Sequence, residues 1–322
     1  MNHVIHLPEY GFLSISGKDA TKFFQGYTTC ELNDLNSTQS AIGATCNLKG
    51  RMLASYRIIS IDDGLLMRMD RCLVEPMIEF LKKYIVFSKA SLHDLSDSYR
   101  CYGQITDTND SAGSTNTIIS CPPDKDHWLQ TTLGPVICVE SENSDTKSAP
   151  ATDTKTQRCE LWLDGSSAPE QNLPVSGSDA DADLWHKAEI AQGLAWVTTE
   201  TSEEFIPQMF DYDKVGAISF EKGCYLGQEI VARMQYRGAV KRRLHTGSAT
   251  SQQATGTTLL DAKGRNAGMI VASSSANFLA VVQIHATDQA GNEGQQDEGH
   301  WPIERNLLLA NGESVEVRQL KQ

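Results

Sequence analysis

Cys224 is the side chain of this sequence best placed to do chemistry. It lies in KGCYLGQE, the segment from Lys222 to Glu229. Gly223 reads as a bend, and Gly227-Gln228-Glu229 reads as the first turn of a helix that runs to about Tyr236 before Gly238 ends it. A cysteine just ahead of a helix meets free amide N–H groups and the positive end of the helix dipole. Both favour a thiolate, and the ammonium of Lys222 adds to that bias. Gly223 and Gly227 let the backbone approach a ligand closely, while Gln228 and Glu229 supply an amide and a carboxylate in the same turn. Most free cysteines are small buried residues; here the flanking lysine and glycines tip the reading toward a reactive thiol. A basic run, Arg233, Arg237, Lys241, Arg242 and Arg243, directly abuts the segment. A solvated helix face is the usual meaning of such a run, and a phosphate- or carboxylate-bearing partner is the sharper one.

At 322 residues the chain exceeds what one hydrophobic core serves, so two or three domains are expected. Its formal net charge of -13 opposes a whole-surface grip on DNA or RNA unless a local patch overcomes the general field. The N-terminus has no secretory pattern, and no stretch approaches the roughly 18 apolar residues a membrane helix needs. The expectation is a soluble, cytoplasmic protein without a membrane partner. Eight cysteines lie at wide intervals with no C-x-x-C pair, which suits reduced thiols and no metal site.

The elements that must hold Cys224 follow from periodicity. Leu13 and Ile15 alternate with Ser14 and Ser16 as in a half-buried strand, and a short helix then carries Phe23 and Phe24, with Gly26 as its cap. Residues 40–46 and 51–61 flank Asn47-Leu48-Lys49-Gly50, a hairpin with a four-residue turn. A strand from Leu65 to Met69 follows. Leu73, Met77, Phe80, Leu81 and Tyr84 then mark an amphipathic helix, with Pro76 confined to its first turn. Ile85-Val86-Phe87 reads as another strand, so the pattern is an antiparallel sheet with helices on one face. Further strands are expected at Tyr99–Ile105, Pro135–Val139 and Cys159–Leu163, with mobile surface insertions at 107–117, 141–157 and 164–182. A helix spans about Leu184 to Gln192 and stops at Gly193. Ile218-Ser219-Phe220 reads as a short extended piece. Beyond Gly238, strands at Thr257–Leu260, Ala267–Val271, Phe278–His285 and Leu307–Leu309 suggest a small all-β domain. The acidic connection from Asp288 to His300 reads as flexible.

KGCYLGQE resembles the signature of a known family: Lys-Gly-Cys, an aromatic, any residue, then Gly-Gln-Glu. Lys222, Gly223, Cys224, Tyr225, Gly227, Gln228 and Glu229 match it. Supporting matches are Ile15 to Ala20 with Phe24-Gln25-Gly26, Lys49-Gly50-Arg51, KKYIVFSK from Lys82 to Lys89, Phe205-Ile206-Pro207-Gln208, and Ile218-Ser219-Phe220. The sequence is similar on these grounds to the folate-binding YgfZ family, relatives of the glycine-cleavage aminomethyltransferase (T-protein) and of mitochondrial iron-sulfur assembly factors. The resemblance implies an α+β, T-protein-like ring of three domains. Two intertwined, ferredoxin-like α+β subdomains would occupy residues 1–240 and a C-terminal β-barrel 241–322. It also implies folate, as tetrahydrofolate or a one-carbon derivative, near the central opening. Trp185 falls where the family has a tryptophan, and a flat indole suits stacking on a pterin. Tyr10 falls where a tryptophan is usual, a departure from the pattern.

The function so implied is support of iron-sulfur enzyme assembly or repair, and thereby of tRNA modification. Cys224 would act beside the folate cavity, kept ionised by Lys222 and positioned by Gln228 and Glu229, with Gly223, Tyr225 and Gly227 shaping the ligand's approach. The expected partners are a reduced folate and iron-sulfur enzymes, including tRNA-modifying ones, and not DNA. A folate-dependent aminomethyltransferase is the alternative enzyme. A folate-sensing scaffold without chemistry, docking an acidic partner or tRNA through Arg233 to Arg243, is the alternative binding module.

Overall fold

The computed structural model describes residues 2–107, 120–141, 156–165, 175–176, 179–238, 240–284 and 305–320. Two open sheets share the first part of the chain. The first strand, β1 (Asn2–His6), belongs to one sheet; β2 (Tyr10–Ser16), β3 (Ser40–Cys46), β4 (Met52–Ile61), β5 (Gly64–Asp70) and β6 (Ser91–Asp94) build the other, in the order β3-β4-β5-β2-β6. The chain then returns to the sheet of β1 through β7 (Tyr99–Asp107), β8 (Trp128–Gln130), β9 (Pro135–Glu140), β10 (Thr156–Asp164) and β11 (Val175–Ser176), in the order β11-β1-β7-β10-β9-β8. The sheets are therefore intertwined along the sequence, an α+β arrangement of the kind expected.

Among the described residues the α-helices of this part are α1 (Ala20–Gln25), α2 (Val74–Lys82), α3 (Asp179–Ala191) and α4 (Gln228–Tyr236). In α2 the buried residues Val74, Met77, Ile78 and Leu81 form one stripe, and Pro76 sits in the first turn, where a missing N–H breaks no helical bond. From Arg242 onward the chain is a closed barrel of six strands: β12 (Arg242–Ser248), β13 (Thr258–Leu260), β14 (Asn266–Ser274), β15 (Asn277–Gln283), β16 (Arg305–Leu308) and β17 (Ser314–Gln319), ordered β12-β15-β14-β13-β16-β17.

Several expectations are corrected. The strand β2 is buried on both faces, Ser14 included, because the two open sheets pack against each other; Phe12 meets Trp162 edge-on with centroids 5.4 Å apart. The contact between sheets also holds a buried ion pair. Arg68 of β5 donates from Nη2 and Nε to the Glu160 carboxylate of β10, at 2.6 and 3.2 Å. Ile85–Phe87 is a 3₁₀ turn and not a strand, with Val86 and Phe87 left 71% and 99% exposed. Three apolar residues in a row mimic a strand, but the paired segment is β6, further on. Ile218–Phe220 lies outside any strand, although its Ser219 amide donates to the Thr29 carbonyl at 2.9 Å. The expected loops at 107–117, 141–157 and 164–182 are only partly tested: residues 108–117, 142–155, 166–174 and 177–178, and the connection from 288 to 300, lie outside the described residues. Residues 156–157 instead open β10, 175–176 form β11, and 179–182 are the first turn of α3, which starts earlier than its apolar spacing suggested. Among the described residues no helix is long and apolar enough to cross a membrane.

Candidate functional site

Four of the segments that carry the family resemblance, around Gly26, Gly50, Phe205–Gln208 and Ser219, meet the loop of Cys224 although they are far apart in sequence. Gly227 takes φ +84° ahead of α4, and a Cβ there would lie 2.6 Å from the Asn47 carbonyl and 3.1 Å from the Gly50 Cα. Gly50, at φ +68° in the hairpin turn between β3 and β4, packs in turn on Ile230 of α4. These two glycines allow the backbones of the turn and the loop to touch. The Leu226 amide donates to the Gly26 carbonyl at 3.0 Å, Gln208 donates from Nε2 to the Val231 carbonyl at 2.7 Å, and the Met52 amide reaches the Phe205 carbonyl at 2.8 Å. Arg51 donates from Nη1 to the carbonyls of Glu203 and Glu204, both at 3.0 Å.

Within this clasp the Cys224 side chain is exposed. Lys222 is not its counterion. Its Nζ is buried and donates to the carbonyls of Gln25, Thr28 and Cys30 at 3.0, 2.7 and 2.7 Å, so all three ammonium donors are taken by backbone. Burial draws its pKa down to about 8. Lys222 thus ties the loop to the end of α1, and Tyr225 packs beneath it, the ammonium 5.2 Å from the ring centroid. A Cβ at Gly223 would meet nothing within 4 Å, so the approach to the thiol is open on that side. Gln228 is half-buried and Glu229 exposed in the first turn of α4.

The basic run divides. Arg233 and Arg237 stay on the exposed side of α4, whereas Arg243 is on β12 and donates from Nη1 to Asp211 Oδ1 at 2.8 Å and Asp213 Oδ1 at 2.9 Å. That arginine joins the barrel to the open-sheet body and is no part of a free cationic face.

A cleft of about 230 Å³ lies elsewhere, between the open sheets, α3 and the barrel. Its walls include Tyr10, Trp196, Ile190, Leu194, Val271 and Ala272, with the carboxylates of Glu9, Asp70 and Glu189 and the imidazole of His186. Glu189 is the hub. It accepts from Trp196 Nε1 at 2.9 Å and from the Tyr10 hydroxyl at 3.3 Å, and its Oε2 lies 3.3 Å from His186 Nδ1. His186 Nε2 is 3.2 Å from Glu9. Burial opposes the charged imidazole, but hydrogen bonds to Glu189 and Glu9 outweigh it and hold the His186 pKa at about 10. Burial likewise opposes ionised Glu189, yet His186, Arg68 and Trp196 keep its pKa below the usual value. Behind the wall the Arg68 guanidinium lies between the rings of Tyr10 and Trp196, 4.0 and 4.1 Å from their centroids. The barrel is tied to α3 nearby: Ser274, at the end of β14, and Ser275, in the turn to β15, donate to the two carboxylate oxygens of Asp183.

None of KGCYLGQE lines this cleft, so thiol and cleft are separate places. Trp185 does not line it either. It is fully buried, its indole 2.4 Å from where a Cβ on Gly103 would stand, with Arg158 4.9 Å from its ring centroid. A tryptophan locked between α3 and β7 cannot stack on an entering ligand. Trp196, which sequence reasoning passed over, is the cleft's indole; its one signal was a tryptophan just past the glycine stop of α3. Tyr10 does belong to the cleft.

The whole architecture is similar to that of the glycine cleavage system aminomethyltransferase T from Bartonella henselae, with a TM-score of 0.63 at 11% identity over 99% of this chain and 85% of that one. The fold class is thereby T-protein-like. No protein-family model matches the chain. In sequence, the tRNA-modifying protein YgfZ of Colwellia psychrerythraea is 31% identical over 243 residues, which cover 75% of this chain and 70% of that protein. The protein of the same name from Photobacterium profundum is 30% identical over 277 residues, 84% of this chain and 78% of that one. The chain belongs to the YgfZ family.

Proposed function

We propose that this protein binds a reduced folate in the cleft beside Tyr10 and Trp196, and uses Cys224 to support the assembly or repair of iron-sulfur enzymes that modify tRNA. The observation that carries the reading is the exposed Cys224 thiol, held by a clasp on which the motif segments around Gly26, Gly50, Phe205–Gln208 and Ser219 converge. The relatives are named for tRNA modification, and the cytoplasm is where that work would be done. The cleft suits a pterin chemically. Its apolar walls match a flat ring, and the carboxylates of Glu189, Asp70 and Glu9 are acceptors for the donor-rich aminopyrimidine edge. Bound folate would supply a one-carbon carrier; the protein's part is to orient it and exclude water. Because Cys224 lies outside the cleft lining, folate acts on the thiol's task from a distance or after a change in the bound ligand's reach.

The test is replacement of Cys224 by Ala in a strain lacking the endogenous protein. Loss of complementation, read as the level of modified nucleosides in tRNA, is expected, with folate affinity of the purified variant within about twofold of the parent. Full complementation would refute the role of the thiol. The fold likeness favours a second reading, an aminomethyltransferase. Transfer of a one-carbon unit from an aminomethyl-loaded carrier to tetrahydrofolate by the purified protein would install it in place of the first.

A further inference from the structure

The segment KKYIVFSK, from Lys82 to Lys89, has no part in either the clasp or the cleft walls described so far, and it forms the most exposed apolar feature among the described residues. Its 3₁₀ turn projects Phe87 at 99% exposure and Val86 at 71%, with Tyr84 at 39% beside them. Burying so large an apolar side chain is worth about 1.5–3 kcal/mol, and this one is left in water. An aromatic row leads inward from it. The Tyr84 ring meets that of Tyr27 with centroids 5.1 Å apart, and Tyr27 meets Phe23 at 5.0 Å.

Lysines ring the rows of aromatic side chains. Lys82 and Lys83 end α2, Lys89 follows the turn, and the Asp19 carboxylate accepts the Lys89 backbone amide at 2.8 Å, which brings Lys18 and Lys22 of the α1 region alongside. All five are exposed. Lys82 is paired with Glu79; the ammonium groups of Lys18, Lys22, Lys83 and Lys89 are in no ion pair among the described residues. Against Asp19, Glu75 and Glu79 on the same elements, the lysines leave this face net positive on a chain of net charge -13, a local reversal of the general field. The face also adjoins the thiol loop. Residues 25–28, which carry the carbonyls that hold Lys222 and Leu226, run directly through the Tyr27 row.

We infer that this face receives an unpaired segment of tRNA, its phosphates on the lysines and a base stacked on Phe87 or Tyr84. Uncommitted ammonium groups interleaved with open aromatic rings are the recognition chemistry of single-stranded nucleic acid, in which stacking and phosphate contact act together. The inference rests on the reading that the protein serves tRNA modification, and it puts the RNA contact on the α1–α2 side of the molecule, away from Arg233–Arg243. It gives the exposed thiol a reason for its position, next to a bound RNA or to an enzyme engaged on that RNA.

The experiment is retention of bulk deacylated tRNA by the full-length protein, by fluorescence anisotropy from low to moderate salt. Wild-type protein should bind with steep salt dependence. Phe87→Ser should weaken binding about tenfold, and Lys83→Glu with Lys89→Glu should weaken it further and flatten the salt slope by about 0.7 per lysine. Arg233→Gln with Arg237→Gln should stay within about twofold. All these side chains are exposed, and an unchanged Tm checks that each variant is folded. Absence of tRNA retention at low salt would overturn the inference, as would loss on changing Arg233 and Arg237 with Phe87 indifferent. Phe87-dependent binding to phosphatidylcholine–phosphatidylserine vesicles in place of tRNA would overturn it in favour of a membrane surface. The functional reading fails separately, if Cys224→Ala leaves tRNA modification intact while tRNA retention still depends on Phe87.

Discussion

The loop of Cys224 and the cleft beside Glu189 answer to different physics. The loop is an exposed thiol on a rigid mount: close glycine contacts and backbone carbonyls hold it, and the side chains of its signature point mostly into the mount. The cleft is a cavity on an ionic floor, with Glu189 in its wall and Arg68 and Glu160 buried behind the rings of Tyr10 and Trp196. A short motif records the first, because close backbone packing demands particular residues at fixed spacing. The second draws its residues from 9–10, 70, 186–198 and 252–273, and no local pattern announces it. Motif density in this chain therefore marks where the backbone is locked, and only partly where a ligand would sit.

The largest expected difference between the two regions is energetic. Glu160 accepts from Arg68 and from Trp162 Nε1, and it lies 4.0 Å from Arg57; Arg57 and Arg68 are no more than 1% exposed. Glu160→Gln would leave buried guanidinium charge without its counterion, which costs about 3–5 kcal/mol. Urea unfolding should show that loss, and the cleft should bind folate less tightly as Tyr10 and Trp196 lose their common support. A loss below about 1 kcal/mol would mean that the floor does not hold up the cleft.

Sequence made the mount legible and the cleft obscure, for reasons visible in particular residues. The hairpin at 47–50, the stop at Gly193, the start of α4 at Gly227 and the all-β character of the last part were readable because turn chemistry and periodicity are local; that the strands close into a barrel was implied only by the family resemblance. The role of Lys222 was misread because adjacency along the chain says nothing of where a four-carbon stem reaches; its ammonium sits among residues 25–30. Trp185 was taken for a ligand contact because family position names a residue and not its exposure. Arg242 and Arg243 were read as one basic run with Arg233 and Arg237, yet they open β12, where Arg243 meets two aspartates. The strand β12 itself was hidden by this polar start, as only Leu244 and His245 along it are buried.

The mount can be broken at Gly227. An alanine there would adopt φ +84°, at a cost of about 1–2 kcal/mol for an L-residue, and its Cβ would press on the Asn47 carbonyl at 2.6 Å. Gly227→Ala should lose about 2–3 kcal/mol overall, and the alkylation rate of Cys224 by a thiol reagent should change with it. Gly223→Ala, in open space four residues earlier, should stay within about 0.5 kcal/mol. Equal stability of the two variants would remove the distinction between a glycine that seats the loop and one that leaves it accessible.

The smallest effect expected concerns pH and should appear in the cleft alone. His186 has a folded pKa near 10 against an ordinary 6.5, so its stabilising contact with Glu189 and Glu9 is fully present below about pH 6.5 and is lost as pH rises toward 10. At the acid end, the depressed Glu189 pKa makes that carboxylate's contribution fade as pH falls below its ordinary range. The stability difference between wild type and His186→Gln should hence be greatest near pH 6 and shrink steadily on the alkaline side. Thermal unfolding across pH measures it, and Cys224 alkylation in the same samples should be indifferent to the substitution. A pH-independent difference would mean that the imidazole is neutral in the fold. The carboxylates would then face the cleft uncompensated, and the cleft would favour a cationic ligand over a folate that carries its own anionic tail.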